Sequence, residues 1–431
     1  MYKIDRVVVN DFWGKYKADC LFNHQVNIVI GKNGTGKTTF MNILEAVLSV
    51  DIENIISHEF SSVEIYLSYG GRKRTIKAYK VESDRQPFGF VEYKISNKKY
   101  TVRMISPDER RYIGMHRRKA LEEVGVLKEE LAKIVSIASI SVYRLRNNDD
   151  QETGSRHSVR SESPVDLRLN KLISNLTRYQ LTLSQEARYV AQDLQKEVLA
   201  SILYSEADAK DKSYNLEFDK EKERESLVSA YQQLNAIDKK VNKKIEFHVD
   251  YISKTVNKLK KASPELYARS ENERRKEADE EVDIRSLESL RKSRKIVDMS
   301  LDAERKTEKI YFQFKLFLEI VRSFINDKQV DFEGGVLIVN NGRGDIGHEK
   351  LSSGEKQLLI LLIEALLQQQ KPHVFIADEP EISLHIEWQR KIIPAIVKLN
   401  SNAQVVVATH SPEVASCYPD SIYDMEDMVH G

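Results

Sequence analysis

Four short clusters in this chain carry residue types and spacings that could do chemistry. The first is Gly31-Lys32-Asn33-Gly34-Thr35-Gly36-Lys37-Thr38, a complete G-x-x-x-x-G-K-[ST] loop. Its glycines, Gly31, Gly34 and Gly36, let the backbone curl so that successive N–H groups point at phosphate oxygens. Lys37 would reach the outer phosphates and the Thr38 hydroxyl a magnesium ion, with Asn33 and Thr39 as further nucleotide contacts. The second cluster is Ser352-Ser353-Gly354, two hydroxyls and a glycine at a helix start, which form an anion site of their own. Alone it would pass for an ordinary cap. The third is Asp378-Glu379, at the exit of the apolar run Val374-Phe375-Ile376-Ala377. Asp378 suits the magnesium, and Glu379 suits polarising the water that attacks a γ-phosphate. The fourth is His410, which follows Val405-Val406-Val407-Ala408-Thr409 and becomes a γ-phosphate contact once the other clusters are present. The expected cofactors are ATP and Mg²⁺, with Glu379, His410 and Lys37 as the catalytic groups.

These side chains need a frame. Val26–Ile30 reads as a strand feeding the loop, and Phe40, Ile43, Leu44, Val47 and Leu48 set a helical face behind it. Residues 331–340 read as a strand, 353–369 as a helix, 374–377 as a strand, 383–398 as a helix and 404–408 as a strand. That alternation marks a parallel sheet. Residues 4–9 read as a further strand, and 62–104 as an antiparallel meander attached to the nucleotide-binding strand, with turns at Gly70-Gly71 and 96–98. Ile134–Tyr143 reads as a buried strand. Phe12-Trp13, just upstream of the loop, could stack on an adenine, although packing is the commoner use of aromatics.

Between Gly154 and Gly334 no glycine occurs, and Lys, Glu, Arg, Leu and Gln dominate. This span reads as a helical insertion, either an extended coiled coil or a compact hairpin or bundle. Leu167, Leu169, Leu172, Ile173 and Leu176 form one stripe, and Leu287, Leu290, Ile296 and Val297 another. The charged run 217–225 reads as an exposed tip or solvated helix. The resulting division is an N-terminal lobe at 1–150, an insertion at 151–330 and a C-terminal lobe at 331–431.

Bulk composition narrows the setting. Lys+Arg at 67 nearly balance Asp+Glu at 66, so any nucleic-acid surface must be a local patch, and the basic cluster Arg110-Arg111 with Arg117-Arg118-Lys119 is a candidate. Cys20 and Cys417 are far apart and fit no metal-ligand or redox spacing. The longest apolar run, 358–363, is too short to span a bilayer, and no signal peptide is visible. A cytoplasmic protein without a membrane role is the expectation.

The order GKNGTGKT, LSSGEKQ, VFIADEP, ATHS resembles the ABC-type ATPases over residues 1–150 and 331–431. Asn33 and the helical insertion are similar to the SMC and RecF-like branch. Asp378 to His385, DEPEISLH, resembles the OLD-like branch, which includes ATPase subunits of anti-phage systems such as PARIS and Septu. The resemblance implies an α/β ABC-ATPase head, a P-loop sheet with an antiparallel β subdomain, carrying a long helical insertion. It also implies homo-oligomers, at least ATP-sandwiched dimers. In these Ser352, Ser353 and Gly354 act in trans on the partner's nucleotide, with 383–385 at the junction. Ile386 replaces a proline frequent in the family, no CxxC hook is present, and a glutamine-loop residue is assignable only by position, to Gln86 or Gln151. No Toprim nuclease domain is expected after Pro412. The implied role is an oligomeric sensor or scaffold that answers a phage-derived trigger and controls a separate effector, a nuclease. The alternative is a RecF/SMC-like DNA-repair ATPase acting directly on DNA.

Overall fold

A computed structural model describes residues 1–82, 88–105, 115–141, 163–202, 218–234, 236–265 and 284–431. Gln86, Arg110, Arg111, Tyr143 and Gln151 lie outside them. The chain forms two compact units, one of Met1–Tyr179 with Gln313–Gly431 and one of Gln180–Phe312.

The first unit is built on a parallel sheet. Strands β3 (Val26–Ile30), β8 (Ile137–Ser141), β12 (Val374–Asp378), β13 (Gln404–Ala408) and β14 (Ile422–Asp424) run in the order β14-β3-β13-β12-β8. Every residue of β12 and β13 is buried. This is why both read as unbroken apolar runs rather than alternating ones. Three helices connect or flank these strands: α1 (Lys37–Ser49), α8 (Ser353–Leu367) and α9 (Ile386–Leu399). Along α1 the expected face of Phe40, Ile43, Leu44, Val47 and Leu48 is buried. Expected helical residues 383–385 instead lie in a loop. Its backbone curls through Ile382 N–H to Glu379 O at 3.2 Å and Leu384 N–H to Glu381 O at 2.9 Å, so α9 starts only after His385.

A second sheet is antiparallel. It contains β1 (Lys3–Phe12), β2 (Tyr16–Leu21), β4 (Ser62–Tyr69), β5 (Arg72–Val81), β6 (Phe90–Ile95), β7 (Lys98–Arg103) and β15 (Val429–His430), in the order β15-β2-β1-β4-β5-β6-β7. The meander therefore joins β1, not the nucleotide-binding strand β3. The two sheets are tied by a buried glutamine: Gln404 on β13 accepts from Ile4 N–H and donates to Ile4 O, both at 2.7 Å. A side chain placed to satisfy a strand's own backbone groups removes the penalty of burying them. The C-terminal segment adds a further stitch, since β14 pairs with β3, β15 pairs with β2, and Met425 and Met428 between them are buried.

The expected single strand at 331–340 is a hairpin, β9 (Gln329–Glu333) and β10 (Val336–Asn340), with Gly334 at φ 58° and Gly335 at φ 86°. Two successive left-handed residues make the tight turn that matches strand twist. A two-residue strand, β11 (Asp345–Ile346), completes this small sheet. Short helices α2 (Ile52–Ser57) and α3 (Met115–Ala132) complete the N-terminal part, and on α3 Arg118 pairs with Glu122 at 3.4 Å.

Four helices account for the insertion among the described residues: α4 (Pro164–Ile202), α5 (Lys220–Gln233), α6 (Lys239–Glu265) and α7 (Ile284–Phe324). The stripe residues Leu169, Leu172 and Leu176 of α4 are buried and belong to the first unit. In the second unit Leu227 and Ala230 of α5, Ile245 and Val249 of α6, and Val297 of α7 close one small core. Ile252 and Val256 close another with Leu290. Within the charged run, Asp219 is the N-cap of α5 and accepts from the backbone of Glu221 and Lys222.

Candidate nucleotide site

Each functional side chain leaves the same edge of the parallel sheet, because parallel strands place all their carboxyl ends together. β3 delivers the phosphate loop, β12 delivers Asp378 and Glu379, and β13 delivers Thr409, His410 and Ser411. Such an edge is where open α/β sheets bind ligands.

The loop is held in shape from within. The Lys37 ammonium donates to Gly31 O at 2.9 Å and Lys32 O at 3.1 Å, and Thr35 Oγ1 donates to Lys32 O at 2.9 Å. Burial lowers the Lys37 pKa, an effect opposed by the carboxylates of Glu379, Asp378, Asp424 and Glu381. Gly36 has φ 100°, and a Cβ there would sit 2.8 Å from the Phe12 ring and 2.9 Å from Trp13. This is what the upstream aromatic pair does. Phe12 is fully buried and stacks on Trp13 at 4.8 Å, so Phe12 supports the loop and is not free to stack on a base. Asn33 and Gly34 form the exposed crest of the loop, and Thr38 and Thr39 open α1. No side chain caps that helix start, so its N–H groups remain for an anion.

Thr38 and Asp378 meet, the hydroxyl donating to Oδ1 at 3.3 Å. Asp378 Oδ2 is buried and has no hydrogen-bond partner among the described residues. Burial, helped by the neighbouring charges of Glu379 and Glu381, pushes the Asp378 carboxyl up to about 6, against the Thr38 hydrogen bond and Lys37. A hydroxyl beside an orphaned carboxylate oxygen is the hard-oxygen donor pair that suits Mg²⁺. Among the described residues no group of three or more His, Cys, Asp or Glu could hold a metal. The ion would therefore share its coordination with phosphate and water.

Glu379 has φ 47°, a strained setting for a residue with a Cβ. Its N–H donates to Ala408 O at 2.8 Å, the last bond of the β12–β13 ladder, which holds this residue against the end of the neighbouring strand. There Oε1 lies 3.5 Å from His410 Nε2, with both side chains part-exposed. The histidine loop itself is fixed by a residue that sequence reasoning did not single out. Glu381 Oε1 accepts from the Thr409 hydroxyl, from His410 N–H at 3.1 Å and from Ser411 N–H at 3.2 Å. The available signal was the second glutamate of Asp378-Glu379-Pro380-Glu381, which periodicity alone does not separate from a solvated turn.

Ser352, Ser353 and Gly354 open α8, and among the described residues the side chain of Ser352 bonds to Glu355 rather than to the phosphate loop. Ser352 and Glu355 form a reciprocal capping box: Ser352 N–H and Oγ donate to Glu355 Oε2, each at 2.8 Å, and Ser352 Oγ accepts from Glu355 N–H. Lys328 pairs with Glu355 Oε1 at 2.6 Å. A Cβ on Gly354 would collide with the Ser383 carbonyl oxygen, so the glycine is needed for this close approach. Ser383, at φ 68°, belongs to the loop that carries Glu381.

A cleft of about 570 Å³ borders the phosphate loop, lined by Gly31, Lys32, His410, Ser411, Asp424 and Glu426 among others. Glu426 pairs with Lys32 at 3.3 Å, which ties the loop to the C-terminal segment.

A glycine-rich loop, an inward lysine, a threonine–aspartate pair and a glutamate–histidine pair at one sheet edge give the chain the P-loop head of the ABC-type ATPases. The chain belongs to the AAA ATPase domain family AAA_15, matched over residues 3–415. It is 34% identical over 89 residues to the retron Ec83 probable ATPase of Escherichia coli, a stretch that is 18% of this chain and 16% of that protein. The chain thus matches only a small part of this curated relative. Among solved structures it resembles the Pyrococcus furiosus Smc head domain with an extended coiled coil bound to the C-terminal domain of ScpA. That match has 12% identity, 96% and 92% coverage of the two chains and a TM-score of 0.42. The Smc head domain of Thermotoga maritima matches at 10% identity, 98% and 94% coverage and a TM-score of 0.39. Likenesses this loose say nothing about what the chain does. Among the described residues, no helix is long and apolar enough to cross a membrane.

Proposed function

We propose that this protein is the ATP-hydrolysing subunit of an anti-phage defence assembly, acting as a dimer or larger homo-oligomer that controls a separate effector, a nuclease. The observation that carries the hydrolytic part is the placement of Glu379 against His410 on strand ends beside Thr38 and Asp378. Gly31, Gly34, Gly36 and the start of α1 would cradle the phosphates, Asn33 and Thr39 would flank them, and Lys37 would leave its loop carbonyls for the outer oxygens. Magnesium, held by Thr38 and Asp378, would neutralise charge on the β- and γ-phosphates. Glu379 would orient the attacking water and accept its proton, while His410, steadied by Glu381, would contact the γ-phosphate.

Ser352, Ser353 and Gly354 of a second copy would close the site. The defence assignment is supported by the DEPEISLH stretch and by the short match to a retron ATPase. The test is to purify the protein with the product of its neighbouring gene and weigh the complex with and without ATP. A co-purifying nuclease and ATP-dependent mass support the proposal. A DNA-loaded protein with no partner, and ATP turnover that rises with DNA, would instead support a repair ATPase.

A further inference from the structure

The outward face of α6 is not an ordinary solvated surface. Lys240, Lys243, Lys244, Phe247, Tyr251 and Lys254 recur at three- and four-residue spacing and are all exposed, so they share one face. Phe247 is 71% exposed and Tyr251 44%. The rings stack on each other, with centroids 6.0 Å apart and planes within 22°. The opposite face already holds the helix, because Ile245, Val249, Ile252 and Val256 are buried in its two small cores. The helix is thus held without Phe247, and leaving exposed ring area in water forfeits about 25 cal/mol for each Å² of apolar area. Glu246 and Asp250 border the stripe rather than interrupt it, and Asp250 is engaged by Lys220 at 2.6 Å.

We propose that this face binds single-stranded nucleic acid, with bases stacking on Phe247 and Tyr251 and phosphates meeting Lys240, Lys243, Lys244 and Lys254. A single strand offers flat base faces and a negative charge at every nucleotide, the two features this stripe complements. A duplex keeps its base faces stacked inside, and an acidic peptide supplies charge without planes to stack.

The test uses the full-length protein and a fluorescent oligothymidylate read by anisotropy. Binding is expected, with log K falling against log salt at a slope of about −3 if four lysines meet phosphates at roughly 0.7 each. Phe247→Ala with Tyr251→Ala should weaken it about tenfold or more. Lys243→Glu with Lys254→Glu should flatten the salt slope, and ATP turnover without nucleic acid should be unchanged in both double variants. No binding at low salt would overturn the proposal, as would binding indifferent to loss of both rings. So would equal affinity for a duplex of the same length, for polyglutamate or for phosphatidylserine vesicles. Because ATP turnover is not the readout of binding, failure here leaves the proposed function standing, and the reverse also holds.

Discussion

Two helix starts in the first unit carry hydroxyls and glycine, and they are finished in opposite ways. At the start of α1, Gly36 offers no capping side chain, and the lysine that belongs to the loop rests on the loop's own carbonyls. At the start of α8, Ser352 and Glu355 cap each other, and Lys328 neutralises the glutamate. The first end keeps its N–H donors and a lysine ammonium for a phosphate, with Thr38 and Asp378 alongside. The second is satisfied by its own side chains and has no carboxylate pair or loop lysine of its own. A helix N-terminus is thus a general anion site, but only the uncapped one has what is needed to hold a nucleotide by itself. The second is suited to completing a site rather than forming one.

Changes at the two ends should separate in kind as well as size. Lys37→Ala should weaken ATP binding roughly 10- to 100-fold, through loss of charge-assisted hydrogen bonds, while leaving the melting curve intact. Fluorescent-nucleotide titration checks this, and normal affinity would show that the first end is not the nucleotide site. Glu379→Gln should keep that affinity and lower turnover at least about 100-fold, read by phosphate release. Gly354→Ala should leave nucleotide affinity near normal and reduce turnover, because α8 must move away from the Ser383 carbonyl. Thermal melting should show it destabilised by about 1–3 kcal/mol. Glu381→Ala should lower kcat about tenfold with little change in KM, since it frees the His410 loop rather than the phosphate loop. A rise in KM with unchanged kcat would contradict that role.

A further effect concerns pH. Burial raises the Asp378 carboxyl from 3.8 to about 6, so in the metal-free protein the folded state holds the proton more tightly than the unfolded chain. Stability from this group is present below pH 3.8 and is lost as pH rises through about 6, on the order of 3 kcal/mol in all. Magnesium–nucleotide binding should run the other way, tightening as pH rises through the same window, because the ion needs the carboxylate. Denaturation with and without magnesium–nucleotide at about pH 5, inside that window, and about pH 7, above it, checks both signs.

The contrast between the two ends was partly legible in the residues. Lys37, Thr38, Asp378, Glu379 and His410 stood out because phosphate and metal chemistry tolerates few alternatives at those spacings. The buried strands stood out because residues 374–377 and 405–408 are apolar in a row. What escaped reading depended on long-range contacts. Phe12 under Gly36, Gln404 across to Ile4, and Glu381 beneath Thr409, His410 and Ser411 join residues far apart in the chain, where periodicity carries no signal. The Gly334-Gly335 turn was present in the sequence, but the apolar run after it drew the whole stretch into one strand. The C-terminal stitch at Ile422–His430 escaped because strands of two or three residues have no period to detect.

The most direct test of this account is a mixing experiment. Lys37→Ala has a spoiled loop and an intact α8 start, and Ser353→Glu has the reverse. Each alone should hydrolyse ATP at a small fraction of the wild-type rate. Mixed in equal amounts, they should regain turnover, because a mixed dimer joins the sound loop of one copy to the sound α8 start of the other. Turnover that stays at the sum of the two separate rates would contradict the account.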